Sequence, residues 1–129
     1  MAEFLNQSSF RGKTIHCIGI KGAGMAALAE ILVGLGANVS GSDTKEVFFT
    51  DSILRNIGII PKSPFDSKNI PDDADMAVYS TAYARETNAE LAAAFDRGLS
   101  VMSYPEAIGE LTKEKMSLLV TGTHGKTTI

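Results

Sequence analysis

A doubly wound α/β domain built on a parallel sheet is the fold this sequence predicts, on three observations. Apolar runs of strand length alternate with helix-spaced apolar residues, glycines punctuate the joins, and a glycine-rich turn directly follows the first run. Alternating strands and helices imply right-handed crossovers that cover both faces of the sheet. Thr14 to Ile20 is a near-continuous apolar run, followed by Met25, Leu28, Leu32 and Leu35 at helical spacing and by Gly36, where a helix needs a left-handed cap. Asn38 to Gly41 is a short second strand. Phe49, Ile53, Leu54 and Ile57 mark a helix ended by Gly58, and Ile59 and Ile60 form a brief apolar segment. Pro61, Pro64 and Pro71 mark a surface connection ahead of a strand at Asp75 to Ser80. Thr87-x-x-Glu90 fits a capping box for a helix that buries Leu91, Ala92 and Phe95 and stops at Gly98. Leu99 to Met102 is a further strand, and Ser103-x-x-Glu106, with Pro105 in the first turn, opens a last helix through Ile108 and Leu111.

The alternation covers about residues 12 to 113, and Thr112-Lys-Glu-Lys115 reads as a linker, which divides a domain over 1–115 from the opening of a second over 116–129. Met116 to Thr121 is predicted as a buried strand running into Gly122-Thr-His-Gly-Lys-Thr-Thr128. That segment has the parts of a phosphate loop. Flexible glycines let backbone N–H groups converge on phosphate, Lys126 brings charge to the β/γ-phosphates, and Thr127 offers a hydroxyl to Mg²⁺. Val120 stands where the usual pattern has its first glycine, so the loop is a shortened form; a plain glycine turn is the alternative.

With 129 residues, 44% of them hydrophobic, the chain has room for one full domain and a scrap of another. A net charge of -3 gives no broad basic surface for nucleic acid. No segment reaches the roughly 18 to 20 apolar residues of a membrane span, and the one cysteine, Cys17, lies in an apolar strand as a core thiol. These features predict a cytoplasmic protein that binds neither nucleic acid nor membrane.

Ligands of such folds sit at the carboxyl ends of the strands. Gly22-Ala-Gly24-Met-Ala-Ala27 matches G-x-G-x-x-A, with Gly22 for the tight turn, Gly24 for close approach of a pyrophosphate and Ala27 for helix packing. Asp43 ends the second strand about 20 residues on, where an acidic residue meets a ribose hydroxyl. By themselves these features suit an NAD-dependent enzyme and a nucleotide-diphosphate binder equally.

Ile15-His-Cys-Ile-Gly-Ile-Lys-Gly-Ala-Gly-Met25, Ala29-Glu-Ile-Leu32, Val39-Ser-Gly-Ser-Asp43, Tyr79-Ser-Thr-Ala82 and Val120-Thr-Gly-Thr-His-Gly-Lys-Thr-Thr128 together resemble the Mur ligases of bacterial peptidoglycan synthesis, in family order and over nearly the whole chain after residue 12. The resemblance implies a three-domain enzyme: a Rossmann-like first domain that holds the UDP part of UDP-N-acetylmuramate, a central domain for ATP and Mg²⁺, and a last domain that helps receive the amino acid. It implies an acyl phosphate on the muramoyl carboxylate, displaced by the amine of L-alanine. Lys126 and Thr127 are then the catalytic pair, with Thr127 as the Mg²⁺ ligand, and Gly122, Thr123, His124, Gly125 and Thr128 complete the nucleotide loop. A chain that holds only the first domain and the start of the second is expected to be inactive. A family member that joins a preformed peptide to the same UDP-sugar and a free-standing NAD or nucleotide-binding module are the alternatives.

For the first domain the diphosphate is expected on the N–H groups near Gly22, Ala23, Gly24 and Met25. Asp43, with Ser42 or Thr44 beside it, is expected at the uridine, or else as a cap for the segment that follows. Ser80, Thr81 and Ala82 either line the same crevice or bond their own turn. Asn88 is a sugar contact or part of a helix cap. Lys21 stands where the family commonly has glycine and is expected to point to solvent or else to add a charge near the diphosphate, and His16 reads as a satisfied core histidine.

Overall fold

A computed structural model describes residues 8–122. Strands β1 (Thr14–Ile18), β2 (Asn38–Ser42), β3 (Met76–Tyr79) and β4 (Ser100–Ser103) form one all-parallel sheet in the order β2-β1-β3-β4. Around it lie α1 (Ala23–Gly34), α2 (Thr50–Asn56), α3 (Ala89–Asp96) and α4 (Tyr104–Gly122), with a 3₁₀ turn at Ser67–Asn69. This is the predicted α/β, Rossmann-like architecture. Side chains alternate across the sheet, so β1, β3 and β4 each serve two cores. Ile15, Cys17 and Val78 pack with Leu28 and Leu32 of α1, Leu54 of α2, and Ala107 and Leu111 of α4. Ile18 and Ala77 pack on the other face with Ile70 and with Leu91 and Ala94 of α3. Burial pushes the Cys17 thiol up to about 12. The folded chain is therefore expected to resist alkylation by iodoacetamide at pH 8 and to react only in denaturant; rapid modification without unfolding would show that the β1 face opens.

Glycine stops place the first three helices. Gly36, Gly58 and Gly98 follow α1, α2 and α3 with φ of 94°, 82° and 71°. At the start of α4, Ser103 N–H donates to Glu106 Oε1 at 2.8 Å and Glu106 N–H donates to Ser103 Oγ at 3.3 Å. That is the reciprocal capping box the spacing predicts.

Three expectations change, and one apolar segment finds its place. The apolar segment at Ile59 and Ile60 does not extend the sheet: Ile59 is buried, Ile60 is exposed, and one parallel bridge between Ser42 and Lys62 is what forms on the outer edge of β2. Pro61 and Pro64 beside it lack the N–H groups a ladder needs. The cap of α3 sits one residue later than predicted, since Asn88 Oδ1 accepts from Glu90 N–H at 3.0 Å and Leu91 N–H at 3.1 Å, while Thr87 Oγ1 bonds the backbone of Ala84. The buried stripe of α3 is Glu90, Leu91 and Ala94, and Phe95 lies outward with the Arg85 guanidinium 4.8 Å from its ring centre. Glu90 turns the helix because its carboxylate is bonded inside the protein.

The last change concerns Thr112 to Thr121. Neither linker nor strand forms there, and α4 runs unbroken to Gly122. A buried parallel strand needs neighbours to take its N–H and C=O groups, and the described residues offer none beside it; a helix satisfies them within the segment. Near the start of the described chain, Ser8 Oγ donates to Glu114 Oε1 at 2.8 Å, and Ser9 also bonds this carboxylate, which secures the middle of α4. Thr123, His124, Gly125, Lys126, Thr127 and Thr128 of the predicted phosphate loop lie outside the described residues.

Candidate functional site

β1 is followed in the sheet by β2 on one side and β3 on the other, so the connections leaving β1 and β3 part at their carboxyl ends and open a crevice there. It has a volume of about 310 Å³ and is lined by the glycine turn at Gly19, Lys21, Gly22 and Ala23, by Asp43, by Phe48 and Phe49, and by Ser80, Ala82 and Tyr83. A groove of about 490 Å³ continues from it past Lys21, Phe48 and Phe49 toward Ile60.

The glycine turn has the parts of a backbone-lined turn, each one glycine upstream of the predicted assignment. Gly19 makes the tight turn at φ 84°, and a Cβ there would meet Tyr83 Cε2 at 2.8 Å and Ser80 Cβ at 2.9 Å. Gly22, the N-cap of α1, carries the open approach, since a Cβ there meets nothing closer than Gly19 O at 3.7 Å. Gly24 provides the close packing, because a Cβ would fall 2.8 Å from Tyr104 Cζ. Ala27, expected in that packing role, is exposed. The turn also holds the spacing Gly19-x-x-Gly22-x-Gly24, and the contacts of Tyr83 with Gly19 and of Tyr104 with Gly24 give the three roles to this set.

α1 has no side-chain cap and no acidic residue in its first turn. Its first intrahelical bond runs from Ala26 N–H to Gly22 O, which leaves the N–H groups of Ala23, Gly24 and Met25 without helical acceptors. Together with the helix dipole they favour an anion. Ala23 lines the crevice; the Met25 side chain is buried in the core.

Asp43 is 5% exposed, and both its oxygens are engaged: Oδ2 accepts from Lys21 N–H at 2.8 Å and Oδ1 from Thr44 N–H at 2.7 Å. It thus holds the glycine turn against the end of β2 while keeping lone pairs toward the crevice. Thr44 Oγ1 is buried with no hydrogen-bond partner among the described residues, a cost that a bound polar group would relieve. Ser42 points the other way, its hydroxyl 3.2 Å from His16 Nε2 in the interior. Ser80 and Ala82 line the crevice, although Ser80 Oγ also accepts from Ala82 N–H at 3.2 Å, and Thr81 is exposed outside the lining. Of the two roles open to Asn88, its carbonyl oxygen performs the cap.

Lys21 does not point to solvent. Its side chain is 9% exposed, with Nζ donating to Glu46 O at 2.6 Å and pairing with Asp51 at 3.4 Å. Tyr83, Phe48 and Phe49 were not legible as site residues. Tyr83 sits where burial first, and then the neighbouring Asp43 carboxylate, push its phenol above the ordinary range. The apolar Val47-Phe-Phe49 in a polar connection is the one signal that could have marked the two phenylalanines.

His16 is the satisfied core histidine expected. Its Nε2–H donates to Glu90 Oε1 at 2.7 Å and its Nδ1 meets Ser40 Oγ at 2.8 Å, all fully buried at His16 and Glu90. Burial alone would raise the Glu90 carboxyl, but hydrogen bonds from His16, Asn69 Nδ2 and Asp66 N–H outweigh it and hold the group below the usual range. Among the described residues no helix is long and apolar enough to cross a membrane.

Comparison with known proteins agrees with this fold. The sequence profile described as Mur ligase family, catalytic domain, matches residues 14–116. A UDP-N-acetylmuramate--L-alanine ligase of Treponema pallidum (strain Nichols) is 49% identical over 117 residues, 91% of this chain and 24% of that protein. The crystal structure of UDP-N-acetylmuramate-alanine ligase from Thermotoga maritima superposes with a TM-score of 0.71 at 26% identity, covering 79% of this chain and 23% of that one. UDP-N-acetylmuramate:L-alanyl-gamma-D-glutamyl-meso-diaminopimelate ligase from Neisseria meningitides gives 0.67 at 32% identity, over 77% of this chain and 31% of that one. The chain thus spans about a quarter of the length of the curated relatives it matches. With most of its length under the family profile, and with the doubly wound sheet and glycine turn in place, the chain belongs to the Mur ligase family.

Proposed function

We propose that this chain is the UDP-binding first part of an ATP-dependent ligase that joins L-alanine to UDP-N-acetylmuramate in peptidoglycan synthesis, acting in the cytoplasm. The observation that carries the reading is the uncapped N-terminus of α1 at Gly22, opening into the crevice where β1 and β3 diverge. A diphosphate there gains backbone donors and the positive end of the helix dipole. Asp43 and Thr44 beside it suit the ribose or uracil, and Ser80 to Ala82 the diphosphate or sugar. Thr81, Ser42 and Asn88 are the weaker contacts on this reading, by exposure or by engagement elsewhere.

In the proposed reaction a muramoyl carboxylate oxygen attacks the γ-phosphorus of ATP and ADP leaves. The amine of L-alanine then attacks the acyl carbon, phosphate departs, and an amide remains after loss of the amine proton. We assign Lys126 to the β/γ-phosphates and Thr127 to Mg²⁺, which would neutralise phosphate charge. Gly122, Thr123, His124, Gly125 and Thr128 complete that loop. The domain of residues 1–115 would bind the UDP-sugar, and the segment 116–129 would begin the ATP-binding part. A peptide in place of L-alanine is the second reading, supported by the likeness to the Neisseria meningitides ligase.

Binding decides whether the crevice is a UDP site. Titration of the ¹⁵N-labelled chain with UDP-N-acetylmuramate, UDP and NAD should give saturable shifts at Gly19 to Ala23, Asp43 and Ser80 to Tyr83 for the two uridine ligands, and weaker ones for NAD. Preference for NAD would replace this reading with a dinucleotide-binding module.

A further inference from the structure

Residue 21 is tied to the segment 43–51 in three ways. Its N–H donates to Asp43 Oδ2 at 2.8 Å, its carbonyl accepts from Thr50 Oγ1 at 2.6 Å, and its ammonium reaches Glu46 O at 2.6 Å. The ammonium also pairs with Asp51 at 3.4 Å and lies 5.8 Å from the centre of the Phe48 ring. Asp51 Oδ1 has no hydrogen bond among the described residues, so the pair is held by charge at a distance rather than by an aligned donor. Between these ties the chain presents Phe48 at 40% and Phe49 at 72% exposure, and both rings line the crevice. Exposed aromatic rings beside an anion site offer a face for a planar base.

We propose that Lys21 is a positioning residue that pins the segment 43–51 against the glycine turn, so that Phe48 and Phe49 stand as a preformed aromatic wall for the base of a nucleoside diphosphate. The proposal rests on the crevice being a nucleotide site and adds the part that recognises the base. A direct contact of Lys21 with phosphate is disfavoured, because the ammonium is nearly enclosed and its charge is already answered by Asp51. Holding the wall in advance lowers the ordering cost of binding.

The two roles differ in what they do to ligands of different charge. Uridine and UDP are titrated by NMR into the 129-residue chain and into Lys21→Met, Lys21→Arg and Phe49→Ala. A positioning role predicts that Lys21→Met weakens uridine and UDP by the same factor, about tenfold, the loss of one base-stacking contact. Lys21→Arg, whose guanidinium can reach Glu46 O and Asp51, should stay near the parent affinity. Phe49→Ala should reproduce the loss with an unchanged unfolding midpoint, since its ring is mostly exposed. Loss of UDP binding with uridine unaffected would overturn the proposal in favour of direct charge contact. Unchanged affinities in Lys21→Met or in Phe49→Ala would overturn it outright while leaving the crevice as the site. A parent chain that binds neither ligand would sink the nucleotide reading and this inference with it.

Discussion

Glu90→Ala is expected to destabilise the folded chain by about 3–5 kcal/mol, the cost of leaving the partners of a buried ion pair or strong hydrogen bond without an acceptor. The carboxylate takes donors from His16 Nε2, Asn69 Nδ2 and Asp66 N–H at 2.7, 2.7 and 3.0 Å, and both His16 and Glu90 are fully buried. Alanine takes the carboxylate acceptor from all three donors, leaving Asp66 N–H unpaired, His16 Nε2 with only Ser42 Oγ at 3.2 Å and Asn69 Nδ2 with only Pro64 O at 2.8 Å, and it opens a void between β1 and α3. Glu90→Gln keeps the shape and one acceptor oxygen, so its cost should be smaller and should depend on pH. Because the folded-state Glu90 is depressed below its ordinary 4.5, its stabilisation is fully present above that value and is lost as pH falls through the folded value. Urea denaturation of the parent and Glu90→Gln chains should therefore show a gap that is constant from pH 7 to about 5 and narrows at lower pH. A gap that widens on acidification would mean that Glu90 is protonated in the folded chain.

Gly22→Val is expected to lower UDP affinity about 100-fold by standing between the ligand and the free N–H groups of α1, which removes two charge-assisted hydrogen bonds of about 1.5 kcal/mol or more each. The substitution is clean because Gly22 has φ -59°, open to any residue, and a Cβ meets only Gly19 O at 3.7 Å and Met25 Cβ and Cγ at 3.9 Å. Its effect on stability should stay near 1 kcal/mol, the difference between glycine and a β-branched residue at an N-cap. Gly24→Val is no substitute, since the clash with Tyr104 would weaken the fold along with the site. Isothermal calorimetry on a folded Gly22→Val chain decides the point; undiminished UDP binding would put the anion somewhere other than the α1 N-terminus.

Much of this was legible from local pattern. The strand-helix alternation, the stops at Gly36, Gly58 and Gly98, the Ser103/Glu106 box and the position of a crevice after the first strand all follow from periodicity and from backbone conformations that few residues tolerate. Such signals live within a few residues of one another, so the amino-acid order is enough to read them. Tertiary structure decided the rest, because each remaining question turned on a residue brought from elsewhere in the chain. Tyr104 of α4 makes Gly24 a packing glycine and leaves Gly22 the open one. His16 of β1 draws Glu90 inward and rotates α3, so that Ala94 is buried and Phe95 is not. Glu46 and Asp51 fold Lys21 back over Phe48, and with no strand beside it among the described residues Met116 to Thr121 continues α4. Which polar groups meet across a core is set by packing of distant segments, and the period of a single helix or strand carries no record of it.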